Sequence, residues 1–200
     1  ACRKADHIVV LTPGGIDYLL AKGADSGRIC HIYNGAPDIN LDIEPSDFKK
    51  DQSIEDKFLV TYAGILSPFQ GIDNILDAAK HLQNSGVLFN IIGDGMIKSH
   101  IERRVAEEKI ENVVLFPMQN REMYASIIRS SDISIVSLDS RMKAPCLPGK
   151  ARSIMALGTP ILALVPESET SRFITETGSG IVVDPDDTEL IVQTVLKMKN

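Results

Sequence analysis

From residue 58 onward the chain repeats one pattern: a short, unbroken apolar run, a turn, and then about ten residues with apolar positions at helical spacing. The runs fall at 58–62, 87–92, 113–116, 133–136, 161–164 and 181–183. They are too short for buried helices, and they are continuous rather than alternating, as expected of strands covered on both faces. Parallel strands need a crossover between them, and the intervening segments 71–82, 96–109, 121–130, 150–157, 168–177 and a last one from about 187 supply it. In the first of these Ile72, Ile75, Leu76, Ala79 and Leu82 form one stripe, with Asp73, Asp77 and Lys80 opposite. The fold class expected is α/β, three layers deep, with a mostly parallel six-stranded sheet.

A Rossmann-like strand order is the expectation for such a chain. Residues 1–35 suggest the end of a helix, a strand at 8–11, a helix at 13–22 and a strand at 29–33 stopped by Asn34-Gly35. Residues 36–57 are polar, with two prolines and little periodicity, and are expected to be a connector holding about one turn of helix. Of the 200 residues, 44% are hydrophobic and 24% charged, which fits one ordinary domain rather than two. The net charge of −6 excludes the broad positive field of a non-specific nucleic-acid or anionic-membrane binder, so an anion must be met by local cations or helix N-termini. Cys2, Cys30 and Cys146 are odd in number and unpatterned, which suits free thiols in a reducing cytoplasm. No apolar run approaches the roughly 20 residues of a membrane span, and the first residues lack a signal-peptide core.

Ligands of an open α/β sheet bind beyond the carboxyl ends of its strands, so four loops are candidates. Gly64 in the first would allow close backbone approach, and Gln70-Gly71 stands at a helix start that attracts phosphate; a plain strand-to-helix turn explains the same residues. The second holds Gly93 and Gly95 but has Lys98 where a dinucleotide fingerprint needs its third glycine, which argues against NAD and leaves a phosphate contact or a tight turn. In the third, backbone near Met118 could pair with the edge of a base, or Met118 could fill core. The fourth carries Arg141, Lys143, Lys150 and Arg152 in an acidic chain. Lys150 falls in the first turn of the helix that follows, where the dipole already favours an anion.

Other features point away from chemistry. Asp184-Pro185-Asp186 precedes a helix, so Asp186 or Asp187 is better explained as an N-cap than as a metal ligand. His7, His31, His81 and His100 lack ligand spacing, and no nucleophile elbow is present.

Taken in order, R-K-A-D-H-I-V-V-L-T, Y-A-G-I-L-S-P-F-Q-G-I, F-N-I-I-G-D-G, N-V-V-L-F-P, L-P-G-K-A-R-S-I-M-A-L-G-T-P and G-S-G-I-V-V-D-P-D-D resemble the nucleotide-binding half of GT-B glycosyltransferases of the retaining family four, in particular a bacterial surface-polysaccharide branch. The resemblance implies a nucleoside-diphosphate sugar donor, UDP-linked by preference, transferred with retention and without a metal or other cofactor. It implies donor contacts at Gly64, Gln70, Gly71, Gly93, Gly95, Met118, Lys150 and Ser153. Acceptor and catalytic contacts would come from a separate N-terminal Rossmann domain, of which residues 1–35 would be the tail and crossover. Any peripheral membrane association would come through that half, the enzyme would be cytoplasmic, and this fragment alone would transfer no sugar. Many family members carry Arg where this chain has Ile65, Lys where it has Gln70, and glutamates where it has Pro145 and Ser153. Lys150 is then the main diphosphate partner, with Arg152, Arg141 and Lys143 in reserve. The missing glutamates and cations also fit a degenerate domain kept as a non-catalytic binding or scaffolding module; a hexose-nucleotide epimerase of the same fold is the third alternative, though its expected catalytic acids and histidine are not recognisable here.

Overall fold

The computed structural model describes residues 4–36, 48–142 and 146–200. Near the start, β1 (Ile8–Val10) and β2 (Ile29–His31) flank helix α1 (Pro13–Ala21) and pair in parallel as a small sheet of their own. Most of the connector, residues 37–47, lies outside the described residues, and so do Lys143, Pro145 and Cys2. The short helix α2 (Phe48–Asp51) follows, and Phe48 is buried against Phe116 with ring centroids 5.8 Å apart.

Then comes the alternation that the apolar runs predict: β3 (Phe58–Ile65), α3 (Ile72–His81), β4 (Val87–Asp94), α4 (Lys98–Glu107), β5 (Val113–Phe116), α5 (Arg121–Ser130), β6 (Ile133–Ser137), α6 (Gly149–Ala156), β7 (Ile161–Leu164), α7 (Glu169–Thr177), β8 (Gly180–Val183) and α8 (Thr188–Lys199). The six strands β3 to β8 form one sheet in the order β5-β4-β3-β6-β7-β8, every neighbouring pair parallel. Side chains alternate across it. Val60 and Tyr62 face the layer of α3, α4 and α8, whereas Leu59 and Ala63 face α5, α6 and α7. The expected stripe of α3 is buried throughout, from Ile72 to Leu82.

The largest departures from the expected boundaries lie where glycine was taken to end a strand. Strands β3 and β4 run on to Ile65 and Asp94 because Gly64 and Gly93 pair directly across the ladder. Helix α4 begins at Lys98 rather than 96, since the Ile97 amide donates to the Leu66 carbonyl at 3.2 Å and Met96 projects into solvent. Asp187 caps α8, its Oδ1 accepting from the Leu190 amide at 2.9 Å. Among the described cysteines, Cys30 and Cys146 are free thiols.

One guanidinium ties α4 to α3. Arg104 donates to Asp73 (2.8 Å), Asp77 (2.7 Å) and its own-helix Glu108 (2.6 Å), and His100 Nε2 lies 2.8 Å from Asp73. Hydrogen bonds from Arg104 and then Lys80 pull Glu108 down to about 2. Burial pushes Asp73 up, but hydrogen bonds from Arg104 and His100 outweigh it and leave the carboxyl below its usual range. Depressed carboxylates stabilise the fold above their unfolded values, near pH 4, and the contribution vanishes as pH falls through the folded values. Arg104→Met is therefore expected to lower the urea midpoint at pH 7, with the difference from wild type narrowing at pH 3 and closing near pH 2. A pH-independent difference would assign the loss to packing alone.

Candidate functional site

The chain leaves β3 in one direction through β4 and β5, then returns to its other side for β6, β7 and β8. Strand order reverses between β3 and β6, so the turns leaving their carboxyl ends diverge and open a crevice. Two loops form its walls: residues 66–71 after β3, and residues 138–142 and 146–148 after β6. They are tied to each other, with the Asp139 amide donating to the Phe69 carbonyl (2.9 Å) and Ser137 Oγ to the Gln70 carbonyl (2.5 Å). Gly71 enters α3 in the left-handed region, φ 56°, beside the Leu138 carbonyl. No side chain caps the N-terminus of α3 or of α6. Apart from the Ala151 amide, which donates to the Pro148 carbonyl at 3.1 Å, first-turn amides of these helices remain available to an anion.

Lys150 reaches from the first turn of α6 across this crevice to β3. Its ammonium donates to Gln70 Oε1 at 2.6 Å and to the Tyr62 hydroxyl at 3.1 Å, and it lies 4.2 Å from the Tyr62 ring centroid. Tyr62 is held in turn by the Ile65 carbonyl, which accepts from its hydroxyl at 2.9 Å. Burial pushes the Tyr62 phenol up and pulls Lys150 down to about 7. A Cβ on Gly64 would stand 3.1 Å from the Lys150 ammonium, so the bare backbone there leaves room for the lysine.

On the next strand, a Cβ at Gly93 would land on the Gly64 carbonyl, and one at Gly95 on the Leu66 carbonyl. These glycines let the β3 and β4 ends pack backbone against backbone. Beside them, a cavity of about 250 Å³ is lined by Leu66, Gly93, Lys98, Glu102, Phe116 and Pro117 among others. It adjoins the crevice through Gly93, the ladder partner of Gly64.

Of the residues singled out from sequence, Gly64, Gln70, Gly71, Gly93 and Lys150 meet in this crevice, and Gly95 closes the turn beside it. Met118 stands apart and 54% exposed, while its neighbour Pro117 lines the cavity. Ser153 is buried, one turn along α6, and spends its hydroxyl on the Gly149 carbonyl at 3.2 Å. Arg141 is clamped bidentately to Asp139 at 2.7 and 2.8 Å and is largely exposed. Arg152 lies two residues beyond Lys150 and thus on the other side of the helix, buried, with no hydrogen-bond partner for Nε and Nη1 among the described residues. Lys143 falls outside the described residues. Sequence reasoning missed Tyr62, counted only as strand core; its signal was a hydroxyl in an otherwise aliphatic position next to the loop, where it needs a partner.

The sheet order and the crevice at its reversal define a doubly wound α/β domain, one half of a GT-B fold. The family described as Glycosyl transferases group 1 matches residues 44–200, and the chain belongs to it. It is 24% identical over 140 residues to the "Putative colanic acid biosynthesis glycosyl transferase WcaI" of Escherichia coli K12, covering 69% of this chain and 34% of the relative. To the "Probable glycosyltransferase WbjE" of Pseudomonas aeruginosa it is 30% identical over 135 residues, 66% of this chain and 33% of the relative. It spans about a third of the length of each of these two relatives. Among solved structures, Anabaena HepE in complex with UDP and glucose superposes with a TM-score of 0.83 at 18% identity, over 100% of this chain and 55% of that one. The lipopolysaccharide glycosyltransferase WaaG gives 0.77 at 17% identity, over 95% of this chain and 52% of that one. At that identity the likeness shows the fold.

Close backbone contact makes Gly93 the least replaceable residue of the crevice. Gly93→Ala is expected to cost about 2 kcal/mol or more through overpacking and to lower Tm by roughly 4–8 °C. Thermal unfolding of the variant beside wild type checks this, and an unchanged Tm would mean that the two strand ends separate easily.

Proposed function

We propose that this chain is the donor-binding half of a retaining glycosyltransferase that takes a nucleoside-diphosphate sugar, with UDP favoured. The observation that carries the reading is the Lys150 ammonium, delivered between Gly64 and Gln70 at the strand-order reversal, beside two helix N-termini without side-chain caps. An anion seated there would meet one cation and the first-turn amides of α3 and α6. The diphosphate would lie over Gly64, Gln70 and Gly71. The base would enter the cavity beside Gly93 and Pro117, with Gly95 and Met118 next to them in the adjoining turns. Ser153, in the position of a family glutamate, would face the ribose with a hydroxyl that its own helix already engages. The complexes of HepE with UDP and with UDP-glucose support the choice of nucleotide.

The metal-free reading rests on this same cation: Lys150 and the helix dipoles neutralise the diphosphate, as a divalent ion would elsewhere. The acceptor, the catalytic contacts and any peripheral membrane contact belong in this reading to a preceding Rossmann-like half, of which residues 1–35 form the tail, and the enzyme is cytoplasmic. Among the described residues, no helix is long and apolar enough to cross a membrane.

A second reading, a domain of this fold kept only for binding or scaffolding, is favoured by Ile65, Gln70 and Ser153 standing where family members carry charge. Sugar transfer by the full-length protein that disappears in Lys150→Ala would exclude it.

Calorimetry with UDP and other nucleoside diphosphates tests the primary reading. At pH 6.5 Lys150→Ala is expected to weaken UDP binding about 10- to 100-fold, the usual worth of a hydrogen bond to a charged group. Absence of binding to any nucleoside diphosphate at millimolar concentration would sink the proposal.

A further inference from the structure

An ammonium carries three donors and one full charge, and a buried one ordinarily finds a carboxylate. Lys150 has none. Among the described residues it forms no ion pair, and its partners are the neutral oxygens of Gln70 and Tyr62 and the ring of Tyr62. Among the described residues, the charged and titratable groups nearby are few. Strand β3 offers only the Tyr62 phenol, kept neutral by burial. The 66–71 loop offers Gln70, and among the described residues after β6 both oxygens of Asp139 are taken by Arg141. On its own helix, Arg152 carries the same sign and lies on the opposite side.

We propose that Tyr62 and Gln70 are positioning residues that hold Lys150 by neutral oxygens alone, so that the diphosphate of the sugar donor is its counter-ion and binds together with a proton. This rests on the donor-binding reading above. In the free protein Lys150 is pulled down to about 7 by burial, so at pH 8 it is mostly the neutral amine. Binding then adds a proton from solvent to its nitrogen, while the diphosphate keeps both negative charges. In a nucleoside-diphosphate sugar each phosphorus carries one ester and the shared anhydride oxygen, leaving a single strongly acidic group on each that does not titrate near neutrality, which assigns the proton to the protein.

The test is calorimetry of the wild-type chain with UDP-glucose at pH 8, in two buffers of different ionisation enthalpy. The expected result is uptake approaching one proton per site, with affinity falling about tenfold per pH unit above pH 7. Gln70→Glu gives the lysine a permanent counter-ion, so this variant is expected to bind UDP-glucose more weakly and with no linked proton. Tyr62→Phe keeps the ring and removes the hydroxyl, and is expected to lower affinity several-fold while shifting the midpoint of the pH profile. UDP-glucose binding without proton uptake in wild type, or unchanged uptake in Gln70→Glu, overturns this inference and leaves the donor-binding reading standing. No binding of any nucleoside-diphosphate sugar at pH 6.5 overturns both.

Discussion

Parallel strands cannot be joined by tight turns, so each strand of this sheet passes the chain to a helix that carries it back before the next strand begins. Around β3 that rule has two solutions, one to each side, and the chain uses both. The consequence is local. Where the two series part, consecutive crossover helices lie on opposite faces, and the loops after β3 and β6 stand apart at the rim instead of covering each other. Every feature of the crevice follows from that geometry: the paired glycines on one wall, the Asp139 and Ser137 hydrogen bonds that fix the gap, and the helix starts that open into it.

A cation in such a gap faces two opposing demands. Burial between β3 and the loops disfavours charge, while the aligned amides at the helix starts favour an incoming anion. The chain meets them with a lysine rather than an arginine. Lysine gives up its proton when desolvated, whereas a guanidinium stays charged. The ring of Tyr62 and the Gln70 carbonyl accommodate the amine without fixing its charge state. By contrast Arg104, whose guanidinium links α3 to α4, is surrounded by three carboxylates and stays charged. The two sites show two uses of a basic residue on one sheet, one among carboxylates and one among neutral oxygens.

Much of the architecture was legible in the chain. Six apolar runs gave six strands, because a strand buried on both faces can tolerate few polar residues, and the α3 stripe was read from its spacing to the last buried position. Gly64 was legible as a point of close approach and Gly93 as a tight turn or phosphate contact, but both were placed in loops beyond the strands, since glycine is a poor strand former when read alone. Their pairing across β3 and β4 depends on a contact between segments some thirty residues apart. Tyr62 was hidden for a related reason: a strand aromatic is ordinarily core, and its hydroxyl acquires a role only once Lys150 arrives from α6.

The sequence by itself determined the alternation of strand and helix, the parallel class of the sheet and a short set of loops able to meet an anion, because these depend on periodicity and on residue chemistry within one segment. Only the tertiary structure decided which candidates meet. It brought Lys150 to Gln70 and Gly64, left Met118 in solvent, engaged Ser153 with its own helix and clamped Arg141 to Asp139. The physical reason is that a side chain's partners in a doubly wound sheet are set by strand order, and strand order is a property of how distant segments pack.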